Sequence, residues 1–403
     1  MKGKKEVQMK TLLKRIGKRC LIVNLFLGFI GMSLFAQGPD VYPRKIVVFQ
    51  EWFVNEASQR ALLKNFGAVV NKPLRLINGM AVYLPKQAEE ALIHRHEISR
   101  IDDDLVISAS DKPIMELGKP KPSQPPQEIP WGINRIEADL VWNITTGLGV
   151  KVAVVDTGID LDHPDLINNI KGNVNCINPR KSGDDDNGHG THVAGIVAAA
   201  NNQIGVIGVG PEISLYAVKV LDKNGNGWLS DLIEGLEWCI NNKMDIVNMS
   251  LGSSSDNQSF HDAIRKVYEA GIIQVAAAGN NGLTDGSIDY PAKYPETIAV
   301  SAVGQNSDGS LYPANFSSYG PEIDLTAPGV NIKSTYINGN YKTFDGTSMA
   351  TPHVSGVAAL TLSVKGWMSP DELKTYLKNR AENLGLDPYK QGAGLIRADL
   401  SIQ

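Results

Sequence analysis

Five short runs of nearly unbroken apolar residues constrain this chain more than any other feature. They are GVKVAVVDTG (149–158), SLYAVKVL (214–221), DIVNMSLG (245–252), IIQVAAAG (272–279) and TIAVSAVG (297–304). Rich in Val, Ile and Ala, they lack the in/out alternation of a half-exposed strand, so they read as strands buried on both faces of a parallel sheet. Helical stretches are expected to start near Gly190, Ser230, Ser259 and Ser348. Ser230 with Asp231 and Glu234, and Ser259 with Asp262, supply start signals for two of them. Strand and helix in alternation predict an α/β fold: a doubly wound, mostly parallel sheet with helices on both faces. In such a sheet, sites form at the carboxyl ends of the strands.

The chain ahead of this region divides into three. Residues 1–36 crowd basic side chains before the apolar CLIVNLFLGFIGMSLFA and end at Ala36, the pattern of an export signal; the alternative is a retained membrane anchor. Within residues 37–110 the order strand, helix, strand, strand, helix, strand predicts a small α+β ferredoxin-like unit. Residues 111–126 form a Pro-rich linker, and six prolines between Ser110 and Pro130 keep this stretch extended and open to proteolysis. The large domain then occupies residues 127–403.

A formal charge of −4 in 403 residues gives no support for nucleic-acid binding. Of three cysteines, Cys20 lies in the leader, so Cys176 and Cys239 could form at most one disulfide. Neither has a ligand-like neighbourhood, and buried free thiols are expected.

Three segments could carry chemistry. VAVVDTGID places Asp156 at a strand end, NGHGTHVAG places His189 at a helix start, and GTSMATPHV places Ser348 at another. His189 and His192, three apart among small residues, could be metal ligands, a base with a bystander, or two core histidines. Asp, His and Ser together suggest nucleophilic acyl transfer: histidine takes the serine proton and a carboxylate holds the imidazole.

In the order Asp, His, Ser, these segments resemble the subtilisin-like serine proteases, or subtilases. The resemblance extends through YAVKVLD, NMSLG, AAAGNNG, YPAKYP, LTAPGV and GAGLI. It implies a serine-type endopeptidase with Asp156 as orienting group, His189 as base and acid, Ser348 as nucleophile and Asn280 as side-chain oxyanion donor, beside the Ser348 N–H. His192 then reads as a packed brace and Asn281 as a turn residue. Ser250, Leu251 and Gly252 would form the edge on which an extended peptide lies, and Ala277, Ala278 and Gly279 the facing wall of the first specificity pocket. Asp289 stands where the family often has glycine. It would pair with a basic P1 side chain, or else face solvent in a surface loop. Lys112, Lys119 and Lys121 of the linker are each followed by proline, a poor leaving-side residue.

The resemblance also implies a structural Ca²⁺, held by the side chains of Gln127, Asp165 and Asn202 and the backbone oxygens of Ala200, Ile204 and Val206. No organic cofactor is expected. Asp184 to Asp186 read instead as a solvated loop. Residues 37–110 would be a propeptide, chaperone and temporary inhibitor of the same chain. The expected product is a secreted monomer acting on polypeptides, with no nucleic-acid or stable membrane partner.

Overall fold

The computed structural model describes residues 42–109, 124–282 and 287–403. The expected leader and linker residues 111–123 lie outside them.

The first unit runs β1 (Arg44–Phe49), α1 (Glu56–Asn65), β2 (Val69–Leu74), β3 (Gly79–Tyr83), α2 (Lys86–Leu92), β4 (Ile98–Asp103). Its sheet has the order β2-β3-β1-β4, and β1 pairs antiparallel with both β3 and β4. Strand periodicity decides what β1 touches. Val47 and Phe49 pack with Leu63, Met80 and Leu92 in the unit's own core. Ile46 and Val48 face the other way and join the core of the large domain.

The large domain contributes β6 (Lys151–Asp156), β7 (Ile170–Asn175), α3 (His189–Ala198), β8 (Ser214–Lys219), β9 (Asn226–Trp228), α4 (Leu229–Asn241), β10 (Ile246–Met249), β11 (Leu251–Gly252), α5 (Gln258–Glu269), β12 (Ile273–Ala277), β13 (Ile298–Gln305), β14 (Leu311–Pro313), β15 (Leu325–Pro328), β16 (Ile332–Tyr336), β17 (Asn340–Phe344) and α6 (Thr347–Lys365). The main sheet has the order β14-β13-β12-β10-β6-β8-β7, with β15 on β13. All its pairs are parallel except β13 with β14. Strand β6 explains the helices on both faces: Val152 and Val154 pack with residues of α3 and α6, while Ala153 and Val155 pack with residues of α4 and α5. The doubly wound sheet expected from the sequence is the one observed.

Two expected helix starts differ in detail. Helix α4 begins at Leu229 without a side-chain cap of its own. Ser230 donates its N–H and its hydroxyl to the Asp104 carboxylate, each at 2.9 Å, so the first unit satisfies this helix end. Helix α5 is capped by Asn257, which accepts from Phe260 N; Ser259 donates instead to Asp102. Lys72 pairs with Asp231 and Glu234, both at 2.6 Å, and Arg100 pairs with Asp262 at 2.6 Å. The first unit thus lies across the N-terminal ends of α4 and α5. The strand that follows it, β5 (Val106–Ala109), pairs antiparallel with β11 on one side and β9 on the other.

Cys176 and Cys239 are buried and free, as the sequence suggested.

Candidate active site

Asp156 closes β6 and His189 opens α3, so one strand end and one helix start meet. Their approach depends on Gly190: a Cβ there would lie 2.1 Å from the Gly158 carbonyl oxygen. His189 Nδ1 is 2.7 Å from Asp156 Oδ1, with both side chains buried. Thr157 N also donates to that oxygen, at 2.7 Å. An imidazole so held keeps one tautomer and directs Nε2 away from the carboxylate.

Ser348 lies in the first turn of α6. Its hydroxyl donates to the Ser250 carbonyl at 3.2 Å, and Ser250 Oγ donates back to the Ser348 carbonyl at 2.9 Å. Behind them Asn248 Nδ2 donates to Ser250 Oγ and Ser355 Oγ to Asn248 Oδ1. Asn280 Oδ1 accepts from Thr347 N at 3.0 Å and Thr347 Oγ1 at 2.9 Å. The amide's NH₂ is therefore the end turned away from Thr347. Thr347 and Asn248 were not singled out in the sequence, where a threonine before a serine and an asparagine within a strand carry no distinct signal.

His192 is buried, stacks on Phe344 at 4.5 Å and meets the Lys342 carbonyl through Nε2 at 3.0 Å. Burial pushes it down to about 3, so it stays neutral. It is the packed brace expected, not half of a metal pair.

The reading of Asp184 to Asp186 as solvated needs correction at the middle residue. Asp185 is buried. It accepts from Asn187 N, Gly188 N, Thr191 N and Thr191 Oγ1 at 2.6–3.0 Å, capping the helix that carries His189. Burial raises its pKa and these bonds oppose that. No local pattern marked it: the N-cap position is Gly188, and Asp185 reaches the helix N–H groups from three residues ahead of it.

Leu251 and Gly252 form β11, the edge on which β5 lies: Ala109 is opposite Leu251 and Ser108 opposite Gly252. Ala277 ends β12, and the Ala278 carbonyl accepts from Asp289 N at 2.9 Å. Asp289 lies between the two walls. Its Cβ would be 3.1 Å from a Cβ at Gly252, and its Oδ2 2.4 Å from one at Gly279. Only glycines leave room for that carboxylate. Asn281 Nδ2 holds Asp289 Oδ1 at 2.9 Å, more than the turn role expected of it. Burial raises the Asp289 pKa and the Asn281 bond lowers it.

Five of the residues expected to hold calcium, Gln127, Asp165, Ala200, Asn202 and Val206, are joined by hydrogen bonds, and Ile204 enters the cluster through its N–H. Asp165 accepts from Asn202 Nδ2 at 2.9 Å, Val206 N at 3.1 Å and Tyr341 Oη at 3.2 Å. Gln127 Nε2 reaches the carbonyls of Ala200 at 2.8 Å and Val206 at 3.4 Å. Ile204 N donates to Asn202 Oδ1. Asp165 is a buried carboxylate with no cationic side chain on it among the described residues, pushed up to about 6 by burial. Two amide NH₂ groups satisfy oxygens that a cation would otherwise take, and rotating each amide would present oxygen instead. The donor set fits a hard divalent ion.

A buried carboxylate–imidazole pair at the carboxyl end of a parallel sheet, in a chain whose α6 carries a serine in its first turn, is the kind of arrangement a serine hydrolase uses. Residues 147–394 match the Subtilase family of S8 peptidases. The chain belongs to that family and is a serine-type endopeptidase. It is 38% identical over 387 residues to Subtilisin J of Geobacillus stearothermophilus, covering 94% of this chain and 95% of that one. It is 47% identical over 278 residues to Subtilisin Savinase of Lederbergia lenta, covering 69% and 100%. Fervidolysin from Fervidobacterium pennivorans, a keratinolytic enzyme related to subtilisin, superposes with a TM-score of 0.78 at 25% identity, covering 90% of this chain and 61% of its own.

Proposed function

We propose that this endopeptidase is made as a self-processing precursor and works outside the cell through an acyl-enzyme. Ser348 Oγ attacks the scissile carbonyl and passes its proton to His189 Nε2, while Asp156 steadies Nδ1. Asn280 Nδ2 and the Ser348 N–H receive the oxyanion. His189 returns the proton to the leaving amine, and water then releases the acyl group.

The observation that carries this reading is the seat of β5. Its Ala109 pairs with Leu251, next to the Ser250 whose carbonyl accepts from Ser348. A cleft that takes the chain's own strand between β11 and β9 accepts extended polypeptides by main-chain pairing. The same contact makes residues 37–110 an inhibitor until the linker at 111–126 is cut, with the cut supplied by the enzyme itself. Asp289, between Gly252 and Gly279, favours substrates with Lys or Arg at P1. Ca²⁺ at Gln127, Asp165, Asn202 and the Ala200–Val206 loop supplies charge neutralisation and holds that loop outside the cell. Residues 1–36 direct export.

Ser348→Ala tests the proposal. The variant is expected to accumulate as an uncut precursor without casein hydrolysis. A variant that matures normally would refute self-processing; one that still hydrolyses casein at wild-type rate would refute Ser348 as the nucleophile.

A further inference from the structure

Lys219 is a buried charge that this mechanism does not use. Lys219 ends β8, its Cα paired with Asp156 of β6. The residue is 5% exposed. Its ammonium meets three acceptors: the Thr157 carbonyl at 2.5 Å, the Leu221 carbonyl at 3.0 Å and Asp186 Oδ1 at 2.7 Å. All three of its protons are thereby used.

The partners join two halves of the site. Thr157 follows Asp156 and donates to Asp156 Oδ1; its hydroxyl accepts from Gly190 N at 2.9 Å. Asp186 belongs to the loop that leads into α3, next to Asp185, which caps that helix. Asn187 follows and its Oδ1 accepts from His189 N at 3.0 Å. From these contacts we infer that Lys219 is a positioning residue of the proton relay: it ties the Asp156 strand end to the His189 loop, and its fixed positive charge disfavours the imidazolium. The inference rests on the catalytic reading of Asp156, His189 and Ser348.

Several charged or titratable groups bear on His189. Asp156 on β6 and Asp185 and Asp186 on the loop favour its protonated form. Lys219 on β8 opposes it, and His192, one turn along α3, is neutral. A burial cost this large for an ammonium is retained only where its contacts repay it.

Two variants are compared on the mature enzyme, by the pH dependence of kcat/KM for a peptide substrate. Lys219→Met keeps the length and removes the charge and the tie. It is expected to lower kcat about 10- to 100-fold with KM changed less than threefold. The acid limb should rise by roughly half a pH unit. Asp186→Asn removes the opposite charge and leaves the two carbonyl contacts, so its acid limb should fall. Opposed shifts are not what loss of packing would give. If Lys219→Met keeps kcat within twofold, or if the two limbs move in the same direction, the inference is overturned. If Lys219→Met does not fold, Lys219→Gln, which removes the charge and keeps a donor, takes its place under the same two criteria. A wild-type enzyme inert toward the substrate would instead sink the catalytic reading itself.

Discussion

Thr347 grips Asn280 twice: its backbone N–H and its hydroxyl both donate to Asn280 Oδ1, at 3.0 and 2.9 Å. The same hydroxyl accepts from Gly279 N at 3.2 Å. One threonine therefore fixes both the amide proposed for the oxyanion and the Gly279 backbone proposed for a wall of the specificity pocket.

Removing such a donor costs about 10²–10³ in kcat, a magnitude already established within this family. Asn280→Ala should show that loss. Thr347→Val keeps the N–H and loses the hydroxyl, and is expected to cost about 3- to 10-fold in kcat with KM nearly constant. Steady-state kinetics on one peptide substrate check both. A Thr347→Val loss confined to KM would mean that the grip serves binding alone.

Acid stability should be governed in part by two buried histidines. Burial pushes His192 down to about 3 and His353 to about 4, so both are neutral when folded. Unfolded, each takes up a proton near pH 6.5. Between about pH 6.5 and 4 the unfolded chain thus binds more protons, and stability is lost as the pH falls. Each histidine contributes a slope of at most about 1.4 kcal/mol per pH unit. Urea midpoints measured across that window should fall with pH, and His192→Gln, which retains a donor for the Lys342 carbonyl, should flatten the slope.

Calcium should raise the melting temperature. At an ion concentration about 100 times Kd the folded state gains about 2.7 kcal/mol, or roughly 5–10 °C for a domain this large. Calorimetry with calcium and with a chelator checks it. Asp165→Ala should abolish the difference between the two conditions.

Asp289→Gly should reverse the P1 preference. The wild type is expected to favour Lys and Arg over Phe, and the variant Phe over Lys. A change of about 10- to 100-fold in the kcat/KM ratio corresponds to loss of one charge-assisted hydrogen bond, about 1.5–3 kcal/mol. Identical ratios for the two proteins would mean that the Asp289 carboxylate does not meet the P1 side chain.

Much of this was legible in residue order. The near-unbroken Val/Ile/Ala runs placed β6, β8, β10, β12 and β13, because a strand buried on both faces carries few polar positions. Asp156 and His189 were visible as polar residues at strand and helix ends. What escaped was contact made across long separations. Asp104 satisfies Ser230 N from 126 residues away, and Lys72 reaches Asp231 from 159. No local pattern marks either partner. Asp185 hid inside a charge run, and Lys219 inside an apolar strand. In both cases burial, which one sequence does not report, decides the role.

Whether Ser348 is the nucleophile is read most directly from a covalent adduct. The mature enzyme is treated with a sulfonyl or phosphonyl fluoride while calcium is kept saturating, and the adduct is located by mass spectrometry. Activity should fall in step with one adduct per chain, on Ser348, and a zinc chelator should leave it unaffected. Full inactivation with Ser348 unmodified, or activity lost to the zinc chelator, would rule out Ser348 as the nucleophile.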